Sequence, residues 1–235
     1  MSIRYIFFDL DGTLLPMDQD HFIRTYFGAL SSYMQSHGLE AKSFVETIWH
    51  CTGAMFKNNG LMTNEEVFWQ TFTAAYGPNA RQYEPVFNSF YQNKFPAVRS
   101  SCGFDPKASH TVRKLKEMGC ELVLATQPIF PAIATENRIK WAGLDQNDFL
   151  LYTTYENSNF SKPNPAYYQQ ILDKIGAKPS ECLMVVNDAT EDLAAEQLGI
   201  KVFLLTNCLI NKNNIDLFGH PHGDFDALLH YIQSL

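Results

Sequence analysis

Short, continuously apolar runs alternate with amphipathic stretches along most of the chain. The first run begins at Tyr5 and stops at Asp9, and four more lie at 121–126, 149–152, 182–186 and 202–205. Runs of this length with β-branched and aromatic residues are typical of strands buried on both faces of a sheet. They predict five strands, and the run at 149–152 has the weakest pattern of the five.

Amphipathic stretches follow most of these runs and predict helices between the strands. The expected helices lie at 105–118, from Pro128 or Pro131 to 141, at 164–175, at 190–198 and at 224–232. Regular alternation of strands and helices indicates a parallel sheet covered by helices on both faces. We therefore expect an α/β fold with a doubly wound parallel sheet.

One long block interrupts this alternation. Residues 16–96 contain no strand pattern, and helical periodicity recurs at about 18–38, 41–56, 63–76 and 81–94. The block is rich in aromatic residues, which are explained by the core of a helical bundle. A helical block inside an α/β pattern predicts an inserted domain. We expect a core domain made of 1–15 and 97–235, and an all-helical domain at 16–96.

Composition and charge narrow the class of protein. The 235 residues are 46% hydrophobic and 18% charged, which favours a packed core over disorder. A formal net charge of −7 argues against binding to a nucleic-acid polymer, which needs a basic surface. It does not argue against a small anionic ligand, because a local lysine and a metal ion are enough to hold a phosphate.

The cysteines and the N-terminal segment bear on the compartment. Five widely spaced cysteines with no CxxC motif suggest neither a disulfide framework nor a zinc site, and we expect Cys120 and Cys182 to be buried thiols. The N-terminal residues lack a signal-peptide pattern, and no stretch approaches the roughly 20 apolar residues of a membrane span. We expect a cytoplasmic protein with no membrane partner.

The end of the first strand carries the clearest candidate chemistry. Asp9 and Asp11 stand two positions apart and are followed by Gly12, which permits a tight turn close to a ligand. Two neighbouring carboxylates repel each other unless a cation or a proton lies between them, so the pair suggests a hard cation such as Mg²⁺. An ordinary Asp-Gly turn at the end of a strand is the alternative interpretation.

Polar residues also follow the later strands. Thr126 ends the second strand and is followed by Gln127, and Lys162 precedes a helix that begins among prolines. A hydroxyl and an ammonium at these points can hold phosphate oxygens, although a helix cap and a solvated lysine would look the same. Asp188 and Asp192 follow the fourth strand at i and i+4, where acidic residues can be metal ligands or helix caps.

Taken together, these residues resemble the four motifs of the haloacid dehalogenase-like hydrolases, in the family's order. The motifs are Asp9-Leu10-Asp11-Gly12-Thr13, the strand ending in Thr126, Lys162-Pro163, and Asp188 with Asp192. The resemblance implies a Rossmann-type core and identifies the block at 16–96 with the helical cap inserted after the first motif. One departure is Asn187, which stands where the family more often has glycine.

The resemblance also implies a role for each matched residue. Asp9 would be the nucleophile that forms an aspartyl-phosphate, and Asp11 the acid and base. The implied phosphate-binding residues are Gly12, Thr13, Thr126, Gln127 and Lys162. The implied Mg²⁺ ligands are the Asp9 carboxylate, the Asp11 backbone carbonyl and Asp188, with Asp192 acting on the metal either directly or through another ligand. The expected activity is Mg²⁺-dependent hydrolysis of a small-molecule phosphate monoester, whose identity the sequence does not reveal.

Several alternatives stay open. A dehalogenase of this family needs no acid at the position of Asp11 and no metal, and phosphonoacetaldehyde hydrolases lack that acid, so both fit less well. A sugar phosphomutase would share the core and the cap, and a non-catalytic binding protein would need none of these residues. We expect His21 on a helix surface, and we expect His220 and His222 in a solvated loop rather than in a metal site.

Overall fold

The computed structural model describes residues 3–190 and 192–235, except for the side chain of Asp192. Within these residues, six strands form one parallel sheet in the order β3-β2-β1-β4-β5-β6. The strands are β1 Tyr5–Phe8, β2 Glu121–Leu124, β3 Leu151–Tyr152, β4 Cys182–Val186, β5 Lys201–Leu205 and β6 His222–Gly223. The expectation of a parallel α/β sheet is confirmed.

The first strand lies in the middle of the sheet, between β2 and β4. Phe8 is in register with Leu124 on one side and with Val185 on the other. The backbone amide of Asp9 donates to the carbonyl oxygen of Val185 at 3.0 Å. The chain therefore leaves β1, β2 and β4 at the same edge of the sheet. Their order makes this edge a topological switch point, where open α/β sheets bind ligands.

Helices cover both faces of the sheet. The eight α-helices of the described chain are α1 Gln19–Gln35, α2 Ala41–Phe56, α3 Asn64–Tyr76, α4 Glu84–Asn93, α5 Pro106–Glu117, α6 Ala132–Trp141, α7 Pro165–Ile175 and α8 Phe225–Gln233. The strand residues Ile6 and Phe8 share a buried cluster with α5, α6 and α8, whereas Tyr5 and Phe7 share another with α7. Alternate side chains of β1 thus lie on opposite faces of the sheet and contribute to two separate hydrophobic cores, as expected for a doubly wound sheet.

Some local expectations were wrong. The sheet has a sixth strand, β6, which is only two residues long and gives no periodic signal. By contrast, the short helix expected at 190–198 is confirmed as the 3-10 helix Asp192–Leu198. The thiol of Cys182 is buried as expected, but Cys120 is only half-buried, because it lies in the turn that leads from α5 into the sheet.

The segment α1–α4 contains the four expected helices. Asp18 caps α1, and Thr63 forms a capping box with Glu66 at the start of α3. On α1 the buried positions recur every four residues, so that one face of the helix packs into the aromatic core. The main local difference is that a 3-10 turn, Ala80–Tyr83, precedes α4.

The first residue of α3 is bonded to the loops at the carboxyl edge of the sheet. The buried Asn64 side chain donates to the carbonyl oxygen of Pro128 at 2.9 Å and to Ser161 Oγ at 3.1 Å. Its backbone amide donates to the carbonyl oxygen of Ser158 at 2.8 Å. These bonds hold the helical segment above the strand ends. The division into domains 1–15 with 97–235 and 16–96 stays a prediction.

Candidate active site

The first predicted site residue, Asp9, is paired with Lys162. The Lys162 ammonium donates to Asp9 Oδ1 at 2.9 Å, although 153 positions separate the two residues. The side chain of Lys162 is 2% exposed and that of Asp9 is 11% exposed. An ion pair so far out of water is only weakly screened. The pair therefore places a positive charge beside the carboxylate at the end of β1.

Gln127 fixes the backbone of Lys162. Its side-chain oxygen accepts from the Lys162 amide at 3.0 Å, and its side-chain nitrogen donates to the Lys162 carbonyl oxygen at 3.2 Å. Both polar groups of the Gln127 amide are thus bonded to the peptide groups of one residue. In this structure Gln127 positions the lysine that faces Asp9.

Thr126 presents a buried hydroxyl to the same place. Its carbonyl oxygen accepts hydrogen bonds from Thr153 Oγ1 at 2.7 Å and from Tyr167 Oη at 2.8 Å. Its own Oγ1 is buried and has no hydrogen-bond partner among the described residues. Buried hydroxyls normally have partners, so this one fits a site whose ligand completes it.

Asp11 forms an ion pair with Arg138, a residue that the motifs did not identify. The guanidinium is fully buried and donates through Nη1 to Asp11 Oδ2, while Asp11 Oδ1 has no partner in the described chain. The guanidinium also lies over the Phe130 ring, 4.4 Å from its centroid. Desolvation raises the pKa of the Asp11 carboxyl above its usual value, and Asp9 adds to the rise, whereas Arg138 and Lys162 oppose it.

A sequence signal for Arg138 exists in α6. Ala134, Arg138 and Trp141 stand at i, i+4 and i+7, so they share one helix face, and all three are buried. This helix begins soon after the second strand leaves the sheet. An arginine on the apolar face of such a helix needs a buried partner, and Asp11 is that partner.

Gly12 and Thr13 lie beside the site but do not line its cavity. Their amides donate within the loop, to the carbonyl oxygens of Leu15 at 2.8 Å and Leu10 at 3.1 Å. Their contact with phosphate stays a prediction.

The loop of Gly12 and Thr13 packs against Asn187. Thr13 Oγ1 donates to Asn187 Oδ1 at 3.1 Å. Gly12 has a φ of +82°, and a Cβ there would lie 2.2 Å from Asn187 Nδ2. Asn187 therefore joins the loop after β1 to the loop after β4.

The expected metal ligands are brought together in part. Asp9, Asp11 and Asp188 line one cavity, and Asp188 Oδ1 accepts from the Thr190 amide at 2.7 Å. The side chain of Asp192 lies outside the described residues. No cluster of three or more His, Cys, Asp or Glu side chains in the described chain has the spacing of a metal site. The Asp9 and Asp188 carboxylates and the Asp11 carbonyl are nevertheless oxygen donors, which fits Mg²⁺, an ion commonly held by one or two carboxylates.

Most of the predicted site residues meet at one end of a cavity of about 310 Å³. The predicted site residues among its walls are Asp9, Asp11, Thr126, Gln127, Lys162 and Asp188. The remaining walls come largely from α1–α4. A cavity of this size holds a small molecule, and the carboxylates and the lysine form its polar end.

The histidines lie elsewhere. His21 is exposed on α1, as expected. His220 Nδ1 contacts Glu196 Oε1 at 3.1 Å, and neither His220 nor His222 lines the cavity. No helix in the described residues has the length and apolar character needed to cross a membrane.

Comparison with known proteins gives a consistent set of similarities. A family model described as haloacid dehalogenase-like hydrolase matches residues 3–199. The chain is 28% identical to a phosphoglycolate phosphatase of Pectobacterium atrosepticum, covering 83% of this chain and 76% of that protein. It is 22% identical to the pyrophosphatase PpaX of Bacillus mycoides, covering 93% and 90%.

Among solved structures, the fold is similar to that of a 2-haloacid dehalogenase from Pseudomonas syringae. The TM-score is 0.66 at 16% identity, and the superposition covers 99% of this chain and 98% of the other. A similarity at this level of identity concerns the fold and leaves the reaction to be argued from the site.

Proposed function

The chain belongs to the haloacid dehalogenase-like hydrolase family and is an enzyme of the phosphatase type, and we propose that it hydrolyses the phosphate monoester of a small molecule through an aspartyl-phosphate. The observation that carries the proposal is the buried Lys162–Asp9 pair beside Asp11, at the polar end of the cavity. A dehalogenase has no use for an acid at the position of Asp11. The raised pKa of that carboxyl suits a proton donor.

In the first step a carboxylate oxygen of Asp9 attacks phosphorus. The new bond joins that oxygen to phosphorus, the bond from phosphorus to the ester oxygen breaks, and Asp11 gives its proton to the leaving oxygen. Lys162 and Thr126, whose hydroxyl has no partner in the described chain, line the same end of the cavity and would hold the other phosphate oxygens.

In the second step water breaks the intermediate. Asp11, now deprotonated, accepts a proton from water as the water oxygen attacks phosphorus, and the Asp9 carboxylate leaves. Both residues return to their starting states, and inorganic phosphate and the alcohol are the products. One carboxyl thus acts as an acid and then as a base.

Mg²⁺ is the metal that these donors fit. The Asp9 and Asp188 carboxylates and the Asp11 backbone carbonyl would hold it, and Asp192 would act on it directly or through another ligand. When bound, it supplies positive charge that offsets the phosphate charge and aligns the phosphoryl group.

We further propose that residues 16–96 act as a cap domain over this site. Helices α1–α4 line the cavity, and the bonds of Asn64 tie the segment to the loops that carry Pro128 and Ser161. Ser161 directly precedes Lys162 in the sequence. A cap in this position would exclude water and shape the pocket for the leaving group.

The test is phosphate release from p-nitrophenyl phosphate and a panel of metabolite phosphates, with Mg²⁺, with EDTA, and with Asp9→Asn. We expect release that needs Mg²⁺ and that Asp9→Asn abolishes. Asp173→Asn, an exposed carboxylate change on α7, is the matched control and should retain activity. Absence of release from every compound by folded protein would overturn the proposal. Conversion of a sugar phosphate to its isomer without free phosphate would identify a phosphomutase instead.

A further inference from the structure

Away from its polar end, the cavity is lined mainly by rings. Eleven of the 27 lining residues are aromatic, against 14% of the whole sequence. They come from all four helices α1–α4 and from the loops after β2 and β3. Aromatic walls favour an apolar occupant with flat faces and gain little from a strongly hydrated one.

The charged side chains of the cavity wall are confined to its polar end. Lys162 is the only lysine or arginine among the described lining residues, and it is paired with Asp9. The acidic lining residues are Asp9, Asp11 and Asp188, all at the strand ends. Arg138 and Arg81 lie over the Phe130 and Trp69 rings but do not themselves line the cavity. A second anionic group on a substrate would therefore contact no positive side chain among the described lining residues of the aromatic part, and burying it there would be costly. A cationic group would meet no carboxylate in that part either.

Part of this aromatic surface is exposed. Phe27 and Trp49 stack with their ring centroids 4.8 Å apart and their planes 21° apart, and both line the cavity. Trp49 remains 49% exposed, and Phe56, which also lines the cavity, is 42% exposed. Large apolar side chains left open to solvent at a cavity mark a surface that a ligand covers.

We propose that the substrate is the monophosphate ester of an uncharged alcohol that carries an apolar ring, and that the Phe27–Trp49 pair contacts this ring. The inference rests on the proposed phosphatase function. It assigns the phosphate to the end with Lys162 and the ring to the aromatic part. It disfavours leaving groups that carry a second phosphate, a carboxylate or several hydroxyls.

The test compares phosphates with similar leaving groups. 2-Phenylethyl phosphate, glycerol 1-phosphate, phosphoglycolate and choline phosphate all release a primary alcohol, so their differences report mainly on the contacts of the leaving group. Pyrophosphate is added because its leaving group is itself a negatively charged phosphate. We expect kcat/KM for 2-phenylethyl phosphate to exceed each of the others at least about tenfold, the scale that an apolar pocket provides.

Substitutions in the cavity wall test whether the ring of the substrate contacts Trp49. Trp49→Ala should lower kcat/KM for 2-phenylethyl phosphate about tenfold relative to that for glycerol 1-phosphate, mainly through KM. Because Trp49 is half exposed, the change should not unfold the protein. Phe218→Ala, which removes a ring that is 96% exposed and outside the cavity, is the matched control and should change neither value. Thr52→Arg, which adds a cation to the lining, should raise the relative rate with phosphoglycolate.

The outcomes separate this inference from the phosphatase proposal. Phosphate release that favours phosphoglycolate, pyrophosphate, choline phosphate or glycerol 1-phosphate would overturn the ring-bearing substrate and leave the phosphatase intact. Equal losses on all substrates with Trp49→Ala would also overturn it. Lack of release from any phosphate, including p-nitrophenyl phosphate, would instead remove the phosphatase proposal itself.

Discussion

The buried guanidinium of Arg138 is paired with the carboxylate of Asp11, 127 positions away in the sequence. One carboxylate oxygen is therefore engaged and the other is left without a partner in the described chain. The ion pair fixes the orientation of the side chain to which we assign the proton transfers. It also opposes the rise in pKa that desolvation and Asp9 cause.

The first prediction concerns the pH dependence of the reaction. Arg138→Met removes the cation that favours the charged form of Asp11, so the pKa of Asp11 should rise further. The acid would then keep its proton to higher pH, and base catalysis by its carboxylate would also begin at higher pH. We expect the profile of kcat against pH, measured with an alkyl phosphate, to move to higher pH.

The controls separate charge from packing. Arg138→Lys retains the positive charge and should leave the profile closer to that of the unchanged protein. Circular dichroism and thermal unfolding establish that both variants are folded. A profile for Arg138→Met that coincides with that of the parent protein would show that the pair has no influence on proton transfer.

The second prediction concerns Lys162. Lys162→Met leaves the Asp9 carboxylate without its ammonium partner and removes a positive charge from the phosphate end. We expect kcat/KM to fall by about two to three orders of magnitude, the scale of losing one preorganised electrostatic contact. Lys140→Met, an exposed change on α6, is the control. A loss of less than threefold would argue against a role for Lys162 in binding phosphate.

A third prediction concerns the contact between Gly12 and Asn187. Gly12→Ala places a methyl group against Asn187 Nδ2 at a φ of +82°, and Asn187→Gly removes the bonds to Thr13 and to the Cys208 carbonyl oxygen. Each change should lower the free energy of unfolding by about 1–3 kcal/mol.

The double variant tests the contact itself. Because Asn187→Gly removes the group that the new methyl would meet, Gly12→Ala should cost less in that background, leaving mainly the backbone strain of about 1–2 kcal/mol. Urea unfolding of the four proteins of the cycle gives the coupling. Strictly additive losses would show that the two loops do not depend on each other.

A fourth prediction concerns a pair of buried hydroxyls. Tyr26 Oη and Tyr91 Oη lie 2.8 Å apart, and burial raises the pKa of Tyr26 to about 12, so both stay protonated near neutral pH. Tyr91→Phe leaves the Tyr26 hydroxyl without this partner and should cost about 1–3 kcal/mol of stability. Replacing both by phenylalanine should cost less than the single change. Equal midpoints of unfolding for all variants would contradict this account.

Much of this fold could be predicted from local patterns. The apolar run that stops at Asp9 and the capping signal at Thr63 have strong local causes, and both elements formed as expected. The two-residue strand at His222 has no period to detect, because its pairing with β5 arises only once the sheet exists.

The candidate site also has features that could be predicted from the sequence and features that could not. Asp9, Lys162 and Asp188 follow from motifs, since their residue types and order carry the information. The pairing of Asp11 with Arg138 could not be predicted in this way, because the local sequence around Arg138 does not indicate which carboxylate, 127 positions away, it contacts. The bonds that Gly12 and Thr13 make within their own loop are likewise a property of the folded turn. Sequence patterns thus predicted which groups line the cavity better than how those groups are held.

The aromatic lining also gives the protein an internal optical reporter. Of its three tryptophans, Trp49 and Trp69 line the cavity, while the third, Trp141, is buried against Phe95 at a ring distance of 5.1 Å. A ligand that fills the aromatic part of the cavity would change the surroundings of Trp49 and Trp69, whereas Trp141 does not line the cavity. Binding of such a ligand should therefore change the intrinsic tryptophan fluorescence of the unlabelled protein, and a titration can follow this change without any turnover.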